Sequence, residues 1–398
     1  MFEFPLSLLV AAAFLLCVIL AFDTRVSGCL ASRSFSAAFI AAVSLLVAVE
    51  GTWAPGMYRS WYCVPVALIL LLSLGFTSIA DAERKSVRAL LSHFGLFLVI
   101  FGGLFGSADV TDVMMQVSPD TEVHVGFDDK GAPVPLPLHI SLREFRTDFY
   151  ADGVSPKQYT SLISVNGNDL QTSVNRPCRY HGYSIYQSGF DDDGTSVLKV
   201  VRDPWIPVMA LGAILLVIGA VWDLKHTWDS WKVLAVSIAL AAVFTVLSVA
   251  RINFGTLMPA LRSLWFIPHL AVYMLAYAIL ALSVITAVVS YFPVRISPCF
   301  SRKLLSTASS LLLIGMLCGA VWAKQAWGDY WTWDPKECWA AATWALTLAA
   351  IHVRASRRTL VTALTVISFI AMQMTWYGVN YLPSSNSSLH TYNQQRTL

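Results

Sequence analysis

The chain has 398 residues, of which 56% are hydrophobic and 13% are charged, and its formal net charge is +3. A soluble globular chain carries about 25% charged residues, so this composition excludes an ordinary soluble protein and also a disordered one. The mild net charge excludes a nucleic-acid-binding protein that depends on a basic surface. Because the apolar residues occur in long blocks, the sequence predicts an all-α polytopic membrane protein.

Ten segments have the length of a membrane span, which needs about 20 mostly apolar residues. They lie at 5–22, 34–51, 61–80, 93–108, 204–222, 233–250, 267–291, 304–322, 338–353 and 359–378. The first has no basic flank and is interpreted as a retained helix rather than a cleaved signal. We therefore divide the chain into N-terminal membrane helices (1–106), a polar segment (107–203) and a second membrane domain (204–398).

Lysine and arginine orient the predicted bundle, because cytoplasmic loops carry an excess of them. Thirteen of these residues lie in loops 23–33, 81–92, 223–232, 292–303 and 354–358, against six in the short loops of the other side and the tail. We therefore expect both termini, segment 107–203 and loop 323–337 to lie outside the cytoplasm.

Segment 107–203 is polar and carries turn signals at 128–131, 166–167 and 191–194. Alternating or β-branched runs lie between them at 122–127, 161–165, 183–187 and 196–201. This pattern predicts a small, β-rich antiparallel domain outside the cytoplasm. With fewer than about 100 residues its core is thin, so we expect it to lean on the helical bundle. It shows no catalytic constellation, which favours a structural or docking role.

The seven cysteines are scattered and form no Cys-x-x-Cys pair. The chain is therefore predicted to be neither a thiol oxidoreductase nor itself a c-type cytochrome.

Six of the fourteen tryptophans fall within residues 322–344, which we interpret as a loop on the outer surface. An interfacial aromatic belt explains one or two tryptophans at a helix end, but not six with glycine and charged residues between them. Such a cluster offers flat π faces and indole N–H donors to a large planar ligand. The sequence Asp334-Pro335-Lys336-Glu337 also fits a helix start, so for Asp334 and Glu337 capping and ligand contact are equally favoured.

Four histidines lie at or beside predicted spans. His93 and His352 lie at cytoplasmic ends, whereas His269 begins a span at its outer end and His390 lies in the outer tail. Ionisable residues at spans mark functional sites, although a single histidine there more often makes a helix–helix hydrogen bond. Two pairs at matched depths favour two bis-imidazole sites for haem iron, one near each face.

The segment 327–339 reads WGDYWTWDPKECW and resembles the tryptophan-rich (WWD) signature of haem-handling cytochrome c biogenesis proteins. The spacing from Trp344 to His352 and the segments LWFIPH (264–269), GVN (378–380) and LHTY (389–392) are similar to the same family, so 225–398 resembles CcsA or ResC. The segments HFG (93–95), NRP (175–177), GYSIYQS (182–188) and DP (203–204) are similar to CcsB or ResB. The whole chain thus resembles a fused CcsBA protein, the system II cytochrome c synthase, with an outer domain much shorter than is usual for CcsB.

This resemblance implies that haem b enters near His93 and His352 and is held at the outer face between His269 and His390. The aromatic and acidic residues that it places beside the outer haem are Trp327, Trp331, Trp333, Asp334 and Trp339. The implied substrate is an apocytochrome c with Cys-x-x-Cys-His, whose two thiols add across the two haem vinyl groups in a lyase-type reaction. No side chain is assigned a catalytic role beyond positioning haem, and Lys336 and Arg262 are candidate partners of the haem propionates.

The resemblance also places the protein in the bacterial cytoplasmic membrane, with its active site on the periplasmic side. Because the chain has no Cys-x-x-Cys, a separate thiol-reducing partner is expected to keep the substrate cysteines reduced. Two alternatives remain open. One is a haem exporter or carrier that leaves ligation to another subunit, and the other is a polytopic transporter of an unrelated substrate.

Overall fold

The computed structural model describes residues 14, 16–20, 24–119, 121–191, 194–228, 231–249, 256–293 and 297–383. His390 and most of the predicted first span, 5–22, lie outside these residues. Both therefore stay predictions from the sequence.

Within residues 24–119, four α-helices precede the polar segment: α1 (Arg25–Leu30), α2 (Arg33–Glu50), α3 (Cys63–Glu83) and α4 (Val87–Phe105). The helix α2 begins where the hydroxyl oxygen of Ser32 accepts a hydrogen bond from the Phe35 N–H at 3.3 Å, as a serine N-cap does. The helix α4 begins six residues before His93, which the sequence placed at the start of a span. The first turn of α4 contains the charged residue Arg88, which interrupts the apolar pattern on which the predicted span was based.

Eight strands follow: β1 (Thr111–Val117), β2 (Val123–Phe127), β3 (Pro133–Phe149), β4 (Pro156–Val165), β5 (Asn168–Ser173), β6 (Cys178–Tyr180), β7 (Tyr183–Phe190) and β8 (Ser196–Arg202). They form one antiparallel sheet in the order β5-β4-β3-β2-β1-β8-β7-β6. The predicted β domain is confirmed, and the four predicted strands correspond to β2, β4, β7 and β8. The turn Asn166-Gly167 has positive φ at both residues, 49° and 81°, as a two-residue hairpin turn of type I′ requires.

The longest strand, β3, was not predicted from the sequence. Prolines occupy three alternate positions near its start, at 133, 135 and 137. These prolines are exposed, and the residues between them alternate into the core through Leu136, Leu138 and Ile140. Proline in a run normally argues against a central strand, because it removes an N–H from the ladder. Here the alternation of exposed proline and buried aliphatic residue preserves the strand.

The second helical part contains α5 (Ile206–Trp228), α6 (Trp231–Val249), α7 (Phe266–Val289), α8 (Pro298–Trp327), α9 (Pro335–His352) and α10 (Arg358–Trp376). The helix α8 has 30 residues and is longer than the predicted span 304–322. It ends at Gly328, which has a φ of 88° and adopts the left-handed conformation typical of helix C-termini.

The interpretation of 322–344 as a single loop is wrong. The helix α8 continues through Trp322 and Trp327 and ends only at Gly328, because tryptophan is compatible with a helix. The segment falls into three elements. Trp322 and Trp327 lie on α8, Trp331 and Trp333 lie in the connection 328–334, and Trp339 and Trp344 lie on α9.

Seven of the described helices are long and apolar enough to cross a membrane: α2, α3, α4, α5, α7, α8 and α10. The polytopic helical character predicted from the sequence is therefore present. The predicted number of ten spans remains a prediction, since α6 and α9 fall outside this group and the first span lies outside the described residues.

The β domain contacts the helical bundle through the segment that precedes α7. The hydroxyl of Tyr150 donates to the carbonyl oxygen of Leu257 at 2.9 Å, and Nδ2 of Asn175 donates to the carbonyl oxygen of Pro259 at 2.7 Å. We call this side of the molecule the β-domain end and the other side the opposite end.

The two helical parts approach each other closely where α4 packs on α5, and glycine makes this possible. A Cβ atom built on Gly212 would lie 2.7 Å from the carbonyl oxygen of Gly95, and one built on Gly95 would lie 2.8 Å from that of Gly212. Small residues at such crossings let helix backbones touch in membranes.

We expect Gly212→Leu to lower the melting temperature of the detergent-solubilised protein, because the new side chain forces α4 and α5 apart. Overpacking of this kind costs about 1–3 kcal/mol. Gly103→Leu on α4 is the matched control, since nothing lies within 4 Å of a Cβ atom at that position. Equal melting temperatures for the two variants would contradict the close crossing.

Candidate functional site

A cavity of about 450 Å³ lies at the β-domain end, between α7, α8, α9 and α10 and next to the connection 328–334. Its volume is in the range of small-molecule sites. The wall is mainly aromatic and apolar, with few polar groups. The lining residues that matter below are Phe266, His269, Tyr273, Trp322, Tyr330, Trp331, Lys336, Glu337 and Trp376.

His269 lies in the first turn of α7 and forms part of this wall. Its Nδ1 atom is 2.8 Å from the carbonyl oxygen of Gly315 on α8. A carbonyl oxygen only accepts, so Nδ1 carries the proton and Nε2 is the nitrogen with the lone pair. The ring also packs on Tyr273 and Trp322, with centroid distances of 4.9 and 5.7 Å, which fixes its orientation.

The tryptophans of 322–344 point in different directions. Trp331 and Trp322 line the cavity, and the Trp322 indole N–H donates to the carbonyl oxygen of Ala260 at 2.9 Å. Trp327 packs against Trp322 at a centroid distance of 5.2 Å. Trp333 and Trp339 contact the N-terminal helical part instead. Of the four tryptophans that the sequence proposed as ligand contacts, Trp331 lines the cavity, and Trp327, Trp333 and Trp339 do not.

Asp334, directly before α9, and Glu337, in its first turn, form a capping box. A side-chain oxygen of Asp334 accepts a hydrogen bond from the Lys336 N–H at 2.9 Å. Oε2 of Glu337 accepts from the N–H groups of Thr332 and Asp334, at 2.8 and 3.2 Å, and from the Thr332 hydroxyl at 3.2 Å. Glu337 also lines the cavity. Capping is therefore present at both residues, and for Glu337 the geometry leaves ligand contact open as well.

The N-terminal helical part holds the connection from one side through a buried carboxylate. Glu50, 2% exposed at the end of α2, accepts hydrogen bonds from the N–H groups of Gly56 and Tyr58, at 2.6 and 2.9 Å. The ring of Tyr58 then stacks on Trp333, with centroids 4.8 Å apart and planes at 15°. Glu50 is not among the residues predicted from the sequence, although a carboxylate at the end of an apolar span is a signal that could have revealed it.

The β domain holds the connection from the other side through Lys199 on β8. The Lys199 ammonium lies 2.5 Å from a carboxylate oxygen of Asp329 and 3.1 Å from one of Asp112. Burial opposes its charged form, but the two carboxylates outweigh burial and raise the pKa of Lys199. Burial also raises the pKa of Asp112, against the effect of Lys199. This ionic cluster links β1, β8 and the tryptophan-bearing connection.

We expect Lys199→Met to lower the free energy of unfolding by about 1–3 kcal/mol, because it leaves two partly buried carboxylates without their cation. The change should also make the connection 328–334 more sensitive to limited proteolysis. Lys157→Met, at an exposed position of the same domain, is the control for loss of a lysine charge. Similar melting temperatures and cleavage for the two variants would show that the cluster does not hold the connection.

At the opposite end, the structure brings His93 on α4 and His352 at the end of α9 together, with ring centroids 6.2 Å apart. Nδ1 of His93 lies 2.6 Å from a carboxylate oxygen of Asp81, and Nδ1 of His352 lies 2.8 Å from the carbonyl oxygen of Leu348. Both acceptors place the ring proton on Nδ1. The Nε2 atom of each ring is then the nitrogen suited to a metal ion.

The spacing of this pair fits two imidazoles that share one iron. With a metal–nitrogen distance of about 2 Å on each side, the centroids of two such rings lie about 6 Å apart. The described residues hold no group of three or more His, Cys, Asp or Glu side chains that could bind a metal ion.

Comparison with known families assigns both parts of the chain. Residues 205–385 match the family model described as "Cytochrome C assembly protein", and residues 84–198 match the model of the "ResB-like family". The chain combines a ResB-like region with a CcsA-like region, as a fused CcsBA protein does. The resemblance seen in the sequence is thereby confirmed.

Curated relatives support the CcsA-like region. A stretch of 96 residues is 40% identical to the proteins named "Cytochrome c biogenesis protein CcsA" from Hordeum vulgare and from Oryza sativa, and 38% identical to that from Saccharum officinarum. Each match covers 23% of this chain and spans 29% of the length of the relative.

The cavity lies within the CcsA-like region, whereas the histidine pair at the opposite end draws on both regions. The ResB-like region contributes His93, whereas the CcsA-like region contributes His269, His352 and the tryptophan-bearing connection. The ResB-like match ends at Leu198 within β8, directly before Lys199, and the CcsA-like match begins at Trp205, directly before α5. Arg262 does not line the cavity, since its guanidinium donates to the carbonyl oxygen of Lys157 at 3.1 Å and lies over the ring of Tyr150.

Proposed function

We propose that this protein is a cytochrome c synthase of the system II type. It takes haem b at the opposite end, presents it in the cavity at the β-domain end and promotes its attachment to Cys-x-x-Cys-His of apocytochrome c. The observation that carries this proposal is the position of His269, which is oriented by Gly315 in the wall of an aromatic cavity in the CcsA-like region.

The reaction adds two thiols to the two vinyl groups of haem. In each addition a carbon–sulfur bond forms, the vinyl double bond becomes a single bond, and the thiol proton goes to the other vinyl carbon. The addition consumes no oxidant and releases no leaving group. The thiols must therefore arrive reduced, which assigns a role to a separate thiol-reducing partner.

The chain contributes orientation rather than a dedicated base. His269 and, from the sequence, His390 hold the iron, while Trp331 and Trp322 offer aromatic faces to the macrocycle. Lys336 lines the cavity and is the candidate partner of a propionate, whereas Arg262 is engaged by the β domain. Proximity and orientation of this kind lower a barrier by about 7–11 kcal/mol.

The pair His93 and His352 is proposed as the site at which haem arrives. The excess of lysine and arginine in the loops of that end supports a cytoplasmic location for it. We propose that the cavity lies on the periplasmic side of a bacterial cytoplasmic membrane.

Co-expression of this chain with one apocytochrome c, in a host without its own maturation system, tests the proposal. We expect covalent haem on the apocytochrome, detected by haem stain after denaturing electrophoresis, and a purified chain with the absorption bands of bis-histidine haem. A haem-loaded chain that attaches nothing would overturn the synthase in favour of a carrier. A colourless chain would overturn haem handling altogether.

A further inference from the structure

Asp81 is a buried carboxylate near the end of α3, at the opposite end of the molecule. Its side chain is 10% exposed, and one of its oxygens lies 2.6 Å from Nδ1 of His93 on the neighbouring helix α4. A carboxylate that is removed from water needs a partner, because burial of a charge without one is costly. Here His93 supplies it.

The direction of this hydrogen bond sets the chemistry of His93. An ionised carboxylate only accepts, so the proton of the imidazole lies on Nδ1 and the lone pair lies on Nε2. Metal-binding histidines commonly donate their other N–H to such an acceptor, which fixes the ring orientation and raises the basicity of the ligand.

The two histidines of the pair differ in this respect. His352 donates to a neutral carbonyl oxygen of its own helix, that of Leu348, whereas His93 donates to a carboxylate of another helix. A charged acceptor withdraws the proton more strongly than a neutral one. His93 is therefore the more electron-rich ligand of the two.

We propose that Asp81 is the positioning residue of the proposed inner haem site. It holds His93 in the Nδ1–H tautomer, directs Nε2 toward the iron and strengthens the iron–nitrogen bond, which favours the ferric state of the haem at this site. This inference rests on the proposed function, since it takes the ligand of the pair to be haem.

The test compares Asp81→Asn and Asp81→Ala in the purified full-length chain, in an otherwise His269→Ala background that removes a ligand of the outer site. The readouts are haem per chain and the midpoint potential of that haem. Asparagine still offers an oxygen to Nδ1 but has no charge, whereas alanine offers neither. Glu83→Ala, at an exposed position of the same helix end, is the control for loss of a carboxylate.

We expect Asp81→Ala to lower haem occupancy about tenfold or more, as loss of a ligand's acceptor does. Asp81→Asn should keep its occupancy but raise the midpoint potential, which a merely structural role of Asp81 would not do. Added imidazole should partly restore haem to Asp81→Ala, because a free ligand replaces a misplaced one only in a folded site. Wild-type occupancy in Asp81→Ala, or a wild-type potential in Asp81→Asn, would overturn the proposal.

His93→Ala in the same background distinguishes a failure of the proposed inner haem site from a failure of the proposed role of Asp81. If it leaves haem occupancy unchanged, the proposed inner site itself is wrong. If it removes haem while both Asp81 variants keep the wild-type haem occupancy and midpoint potential, the inner site is supported and the positioning role of Asp81 is wrong.

Discussion

His269→Ala should abolish covalent haem attachment in the co-expression assay. The imidazole of His269 is the proposed iron ligand in the described part of the cavity, and the ring is fixed by Gly315, Tyr273 and Trp322. No neighbouring side chain of the same kind replaces it, because the other described histidines of the bundle lie at the opposite end. The holocytochrome signal should fall below detection while the variant accumulates at a normal level.

Added imidazole should restore part of the attachment by His269→Ala, because a small ligand enters the space that the side chain leaves. His139→Ala, at an exposed position on β3, controls for the loss of a histidine. His390→Ala is expected to behave as His269→Ala does, on the strength of the sequence alone. Wild-type attachment by His269→Ala would remove the observation on which the proposed function depends.

The sequence predicted the parts of this protein that follow from local pattern. Apolar blocks revealed the helices, and turn signals with alternating runs revealed four strands. The distribution of lysine and arginine among the loops predicted that His93 and His352 lie at the same side of the membrane. In the structure the centroids of their rings lie 6.2 Å apart. Each of these inferences uses residues close together in the chain or a property summed over loops.

The contacts that the sequence did not reveal join separate elements of the fold. Glu50 reaches the tryptophan-bearing connection through Tyr58 and Trp333, and Lys199 reaches it from the β domain. Asp81 lies beside His93 only because α3 and α4 pack together. The rule that an ionisable residue at a span marks a site applies equally to Glu50 and Asp81. The partners of such residues, however, are set by tertiary packing and not by any local spacing.

Glu337→Ala should reduce haem attachment at least tenfold. One carboxylate oxygen of Glu337 accepts three hydrogen bonds from Thr332 and Asp334 and thereby fixes the connection that carries Trp331. A donor left without its acceptor costs about 1–3 kcal/mol, and about 1.4 kcal/mol corresponds to a factor of ten. The loss should be accompanied by a lower melting temperature and a changed tryptophan fluorescence.

Glu337→Gln decides between the two roles that the sequence left open. Glutamine keeps an oxygen that accepts from the Thr332 and Asp334 N–H groups but removes the charge. If Glu337 acts by capping α9 and holding the connection, Glu337→Gln should recover most of the attachment and most of the melting temperature. If its charge acts on the ligand in the cavity, Glu337→Gln should recover the melting temperature and not the attachment. Suppose that both variants lose attachment equally while Glu337→Gln keeps a normal melting temperature. Capping would then not be the main contribution of Glu337, and its carboxylate would instead act on the ligand in the cavity.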